Sequence, residues 1–554
     1  MTLNRRQALA TLGSGAALAV PSIGSAQGSG REVVMRFEHG VASGDPARDG
    51  AVIWTRATPA GDSIADLALR WHVATAPDAR PVRSGRISAT AARDFTAKVM
   101  ATGLQPGRDY YYWFEGPGGV RSPVGRFRTL PVGATPDLVI AVASCSLYPG
   151  GYFNAYRAMA DLPRVDVVLH LGDYIYEYGE EGYGAEIGRK LGRVVEPRHE
   201  IVTLADYRAR HAQVKRDPDA QALHARAAMI PVWDDHEVTN DGWLDGAQNH
   251  QPATEGDWKA RKAAAMQAYF EWMPIRDPRP GRPWEAINRS FEFGDLATLA
   301  MVETRLLARS EQVAPKGAAP TPDEYAAMLA ERADPRREML GEGQRRWLET
   351  VLARSKRAGK PWQLLGNQVL MARINGPDLE KQLGPERYAA TVARLPEAYR
   401  ARAAAAAQAY RAGLPFNFDS WDGYPPARER LYQSFARAGV RPVVLAGDSH
   451  ASWANDLHDQ SGRLVAAEFG ATAITSPSYG DLLPGIGQLI AQVSPEVAFC
   501  DQDNKGYLLL TITPERAVAD FQAVSTVTAK PFTTRSVARY ATGAGGETRM
   551  QRIA

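Results

Sequence analysis

Five short runs of potential metal ligands each stand where an apolar strand should end, and that placement limits the folds open to this 554-residue chain. Ser144-Cys145 follows DLVIAVA, Asp173 and Tyr176 (LGDYIY) follow VDVVLH, and Asp234-Asp235-His236 (WDDHE) follow AAMIPV. Asn367-Gln368 follow WQLL, and Asp448 and His450 (GDSH) follow RPVVLA. Parallel strands of an open α/β sheet deliver the side chains at their carboxyl ends to one crevice. Carboxylates, imidazoles, a thiolate and a phenolate gathered there need a concentrated positive charge, which a pair of metal ions supplies. Phosphoester hydrolysis is the reaction such pairs most often perform, so the pattern implies a metallophosphoesterase.

The length exceeds one ordinary core and suggests two domains. Residues 31–130 read as an all-β sandwich of the fibronectin type III kind. AVIWTR, LALRWHVAT, DFTAKVMATGL, DYYYWFEG and VGRFRTL are short, β-branched or aromatic, and separated by Gly, Pro and Asp. Pro131–Pro136 is a linker. Residues 137–525 alternate apolar strands with helical stretches such as LADYRARHAQVKRD and DWKARKAAAMQAYFEWM, which implies a layered α/β catalytic domain. The Ala-, Pro- and charge-rich segment 308–340 reads as a surface insertion, PEAYRARAAAAAQAYRAG as an exposed helix, and 526–554 as a frayed tail.

Residues 1–26 carry Arg5-Arg6, a moderately apolar stretch from Ala8 to Val20, and small residues at Gly24 and Ala26. That is the pattern of a cleavable twin-arginine signal, so a periplasmic or secreted protein handed over by the twin-arginine export machinery is expected. The chain's 65 basic residues fall to 63 without Arg5 and Arg6, against 62 acidic ones, which argues against a nucleic-acid partner. With 45% hydrophobic and 23% charged residues, and no apolar run able to span a bilayer, no stable membrane anchor is expected and a monomer is the simplest state. Of the two cysteines, Cys145 lies inside a ligand run and Cys500 reads as a buried apolar side chain, so no disulfide is expected.

EHGVASGDPARDGAVIWTR, SCSLYPGGYFNAYRAMADL, LGDYIYEYG, WDDHEVTNDGW, FDSWDGYP, VVLAGDSHASW and EFGATAITSPS, in this order from about residue 35 to 525, resemble the alkaline phosphatase D (PhoD) family. The resemblance implies a calcineurin-like catalytic domain behind a sandwich, an extracytoplasmic phosphatase with some phosphodiesterase activity, and iron(III) with calcium as cofactors. Within the family pattern Asp173 bridges the two ions, whereas a lone aspartate after a strand would be a helix cap. Tyr176 is a hard phenolate ligand suited to iron(III), its alternative being core packing. Cys145 stands where calcineurin-like enzymes have an Asp-x-His pair, and a soft thiolate goes with Tyr176 on the iron. Asp235 replaces a metal-binding Asn of the wider superfamily, although either aspartate of WDDHE could serve. His236 then faces the substrate as a proton donor or charge stabiliser. Asp448 makes the second site rich in oxygen, which suits calcium, and His450 completes the iron site. Asn240 and Asn367 are further oxygen donors to consider, and Arg157 and Arg305 are candidate phosphate clamps.

The reaction implied is attack of a metal-held hydroxide on the phosphorus of a small phosphate ester, with the ions neutralising the phosphoryl oxygens. Phospholipid or polymer diesters are an alternative substrate class. A non-catalytic secreted binding protein is disfavoured because every ligand run retains ligating residue types.

Overall fold

The computed structural model describes residues 35–61, 64–315, 317, 320–544 and 549–554; the expected leader, residues 1–26, lies outside them. The apolar runs form strands buried on both faces, as parallel strands between packed layers must be. Leu138–Ala143, Val167–His170 and Met229–Pro231 run parallel in a ten-stranded sheet, with Ala143 opposite His170 and His170 opposite Pro231. In a second, seven-stranded sheet Ala297–Met301, Trp362–Gly366, Val443–Ala446 and Leu464–Gly470 run parallel, with Met301, Gly366 and Leu445 in register.

The sheets share one continuous core that joins Ile140, Val168 and Leu510 to Leu299, Leu364 and Phe469. Phe469 meets Phe521 across it with ring centroids 6.4 Å apart. Helices Gly341–Arg357 and Pro425–Ala438 bury Leu348, Leu352, Leu431 and Phe435 against the outer face of the second sheet. Leu204–Arg216 and Trp258–Trp272 belong to the helical layer beside the first. Their starts follow local chemistry: Thr203 and Asp206 form a reciprocal capping box, and the Asp257 side chain accepts from the Ala260 N–H. The result is a helix–sheet–sheet–helix stack with a sandwich in front, as the sequence implies.

In that sandwich, Leu67–Ala74, Arg83–Ala89, Asp109–Glu115 and Gly125–Arg128 form a four-stranded antiparallel sheet. Tyr110, Tyr112 and Phe114 alternate inward and meet Ile53 and Val41 from the facing strands. The facing strands Val41–Ala47, Gly50–Arg56 and Thr96–Ala101 run on as the edge of the ten-stranded sheet, where Gly44 pairs with Met229. Buried Asp45 seals the junction, accepting from Arg289 Nε at 2.7 Å and the Arg276 N–H at 2.9 Å.

Two expectations need correction. Residues 526–554 are no frayed tail among the described residues: Thr534–Gly543 pairs along Arg516–Val524, and Gln551–Ile553 adds beyond it. Ala538, Tyr540 and Thr542 alternate inward, a period blurred in the sequence because the inward Thr542 is polar and the intervening Ala541 is not. Segment 308–340 is only partly a surface insertion. Its helix Pro322–Arg332 is exposed on one face, but Tyr325 and Met328 on the other cluster with Val313 and Leu414, and Arg309 is buried. No described helix is long and apolar enough to cross a membrane.

Candidate metal centre

Beyond the strand ends the chain takes up conformations that only a constrained site maintains. Cys145, Asp173, Asp241, Asp448 and His450 all have positive φ, between 53° and 62°, in the left-handed region that costs a residue with a Cβ. Two glycines let these turns approach one another. A Cβ on Gly172 would lie 2.3 Å from Asp234 Cβ, and one on Gly447 would lie 2.8 Å from Ser144 Cβ. The Asp173 turn therefore nests against the Asp234 turn, and the Asp448 turn against the Cys145 turn.

Three overlapping ligand groups result. Cys145, Asp173 and His450 can each offer an atom within 4.8 Å of the others, as can Asp173, Asp235 and His236, and then Asp234, Asp235 and Asp448. Asp173 links the first two groups and Asp235 the last two. Tyr176 joins the first, its hydroxyl donating to Asp173 Oδ2 at 2.9 Å and lying 2.7 Å from Ser476 Oγ and 3.5 Å from His450 Nε2. His450 Nδ1 meets the Pro477 carbonyl at 2.6 Å. A carbonyl only accepts, so Nδ1 carries the proton and the Nε2 lone pair faces the group.

His236 Nδ1 is 2.7 Å from Glu177 Oε2, and Nε2 is the nitrogen left for the crevice. Glu177 is itself held by Thr239 Oγ1, the Asn240 N–H and Asn249 Nδ2. Burial alone would lower the His236 pKa, but the Glu177, Asp235 and Asp173 carboxylates outweigh it and raise the value well above the usual imidazole range. Tyr178 and Tyr183 wall this region, with centroids 5.4 Å from His236 and 6.2 Å from His450.

Several expected residues are placed differently. Arg157 forms an exposed pair with Asp161 away from the centre. Arg305 reaches the centre but is bound to its aspartates, as described below. The Asn367 amide donates to the Val369 carbonyl and accepts from Trp421 Nε1, and the Asn240 side chain donates to Gln248. Cys500 is buried and unbridged, and Cys145 is likewise free.

The donor set fits a pair of cations. Asp173 Oδ1, Asp234 Oδ2 and Asp235 Oδ1 are buried with no hydrogen-bond partner. Burial, reinforced by neighbouring carboxylates, pushes Asp173, Asp448, the Cys145 thiol and the Tyr176 phenol well above their usual values. A cation in their midst is the agent that would ionise them.

Glu237, the last residue of WDDHE, has a role that motif reading missed. Its Oε2 accepts the N–H groups of Asp173 at 3.0 Å and Asp234 at 2.7 Å, and its Oε1 accepts that of Tyr174 at 2.6 Å. One carboxylate thus clamps two ligand-bearing turns. The signal was available, since a Glu three residues after Asp234 has the spacing of a capping box. Glu237→Gln would set an amide N–H against a backbone N–H, leaving a buried donor unsatisfied at about 1–3 kcal/mol. Turnover is expected to fall roughly 10- to 100-fold. The variant should also lose activity faster in chelator, which timed assays in EDTA would measure.

A model of the PhoD-like phosphatase family matches residues 140–521, and one of the PhoD-like phosphatase N-terminal domain matches residues 24–131. The chain is 35% identical over 506 residues to alkaline phosphatase D of Bacillus subtilis (strain 168), covering 89% of this chain and 78% of that protein. A solved structure of PhoD superposes with a TM-score of 0.76 at 33% identity, over 94% of this chain and 92% of that one. Similarity of sequence and fold runs through the sandwich and the catalytic layers alike, and this chain belongs to the PhoD-like phosphatase family.

Proposed function

We propose that this phosphatase hydrolyses phosphate monoesters and diesters at two cations, iron(III) among Cys145, Asp173, Tyr176 and His450 and calcium among Asp234, Asp235 and Asp448. The observation that carries the reading is the set of buried carboxylate oxygens on Asp173, Asp234 and Asp235 that accept no hydrogen bond. A thiolate and a phenolate in one group favour a transition metal, and carboxylates in the other favour calcium. When bound, such a pair polarises the phosphoryl oxygens and acidifies the attacking water.

The chain's own contribution centres on His236. Glu177 fixes its ring and stabilises its charged form, so Nε2 can give its proton to the departing alcohol oxygen. The bond from phosphorus to that oxygen breaks as the bond to the water oxygen forms, and no side chain becomes phosphorylated. The reading includes export by the twin-arginine machinery, on the basis of the leader, and action as a monomer outside the cytoplasm.

Elemental analysis of the purified protein should find iron and calcium, and mono- and bis-nitrophenyl phosphate should both be turned over; a metal-free active enzyme would refute the reading. Tyr176 gives a second readout. A phenolate on iron(III) absorbs visible light as electron density moves from ring to metal, so concentrated protein should be violet. Tyr176→Phe keeps the ring and removes only the oxygen that meets Asp173 and Ser476. Its band should vanish with little change in melting temperature. A colourless iron-loaded wild type, or a coloured variant, would remove Tyr176 from the iron.

A further inference from the structure

One guanidinium in the oxygen-rich half of the centre has no part in the chemistry above. Arg305 follows the strand Ala297–Met301, and its side chain is 0% exposed. Nε lies 2.5 Å from Asp234 Oδ1, Nη1 lies 2.7 Å from Asp419 Oδ1, and Nη2 lies 3.2 Å from Asp448 Oδ1 and 3.6 Å from Asp235 Oδ1. Its backbone is pinned as well. The Glu303 carboxylate accepts the N–H groups of Arg305, Leu306 and Leu307, together with Trp233 Nε1. A phosphate clamp must present free donors, and here they are directed at aspartates.

The oxygens are divided between protein and crevice. Asp234 gives Oδ1 to Arg305 and leaves Oδ2 unpartnered; Asp235 gives Oδ2 to the Asp241 N–H and leaves Oδ1 without a hydrogen bond. Arg309 also pairs with Asp419, at 2.5 Å. Two guanidinium groups thus face the four carboxyl groups of Asp234, Asp235, Asp419 and Asp448. Carboxylates this close and this buried repel strongly unless a countercharge is present.

We infer that Arg305 is a positioning residue, a resident cation that keeps Asp234, Asp235 and Asp448 gathered before calcium arrives. By sharing their charge it also weakens this half of the centre for its divalent ion. The inference rests on the proposed presence of a cation between these aspartates.

The test is the melting temperature of the full-length protein in EGTA and across a CaCl2 titration. Arg305→Met should melt well below wild type in EGTA and recover more of the difference as calcium is added. Its half-maximal shift should come at a calcium concentration on the order of tenfold lower. Arg305→Lys keeps the charge and should titrate like wild type. A purely structural arginine would cost Arg305→Met the same with and without calcium, and that result, or a need for equal or more calcium, overturns the inference. So does an Arg305→Lys protein that behaves like Arg305→Met. A wild type and variants all indifferent to calcium would refute the calcium reading itself, and this inference with it.

Discussion

Cys145→Ala is expected to leave a folded protein that has lost most of its iron and nearly all its activity. The side chain is fully buried in the first ligand group, with Sγ 3.2 Å from Ser144 Oγ. Removing one sulfur leaves a small void, worth about 1 kcal/mol of stability. Losing a ligand should lower turnover by more than the roughly 10- to 100-fold that the loss of a ligand's supporting partner costs. No other thiol can substitute, because the chain's only other cysteine, Cys500, belongs to the core under the second sheet. Elemental analysis and melting curves of the variant separate the two effects. A folded variant with full iron content would take Cys145 out of the site.

The second large effect belongs to His236, whose replacement by alanine should slow turnover of alkyl phosphates by about 10²- to 10⁴-fold. A proton is needed only when the departing alkoxide is a poor leaving group. Nitrophenolate departs unaided, so the same variant should lose far less activity on nitrophenyl phosphate. Metal content should stay near wild type, since the first and third ligand groups do not include His236. A defect of equal size on both substrates, or one matched by metal loss, would make His236 a ligand and not a proton donor. Glu177→Gln should give a weaker form of the same leaving-group dependence, because its contact at 2.7 Å orients and charges the ring.

Much of the fold was readable because its signals are local. The stretches LVIAVA, VVL and VVLA within DLVIAVA, VDVVLH and RPVVLA are apolar throughout, as strands buried on both faces are, and they became Leu138–Ala143, Val167–His170 and Val443–Ala446. DYYYWFE marked a strand by its run of aromatic residues, and LADYRARHAQVKRD and DWKARKAAAMQAYFEWM marked the helices that Thr203 and Asp257 cap. The strand Thr534–Gly543 escaped notice because small and polar residues dilute its alternation. Its burial is decided by Arg516–Val524, the strand it pairs along.

The sequence by itself determined which residue types stand at the carboxyl ends of which strands, and hence that a thiol, a phenol, carboxylates and imidazoles could meet. The tertiary structure alone decided how they are shared out. Arg157 and Arg305 look alike in the sequence, yet one pairs with Asp161 a helical turn away while the other is sealed among residues 71, 114 and 143 positions distant. Glu237 clamps the Asp173 turn from 64 residues away, and Glu177 orients His236 from 59. The sequence sets the sandwich apart behind a linker, yet its strands join the ten-stranded sheet where Gly44 pairs with Met229. The physical reason is common to all of these. A helix cap is stabilised by neighbours along the chain, whereas a buried charge is stable only beside its partners, and the packing of two sheets face to face chooses them.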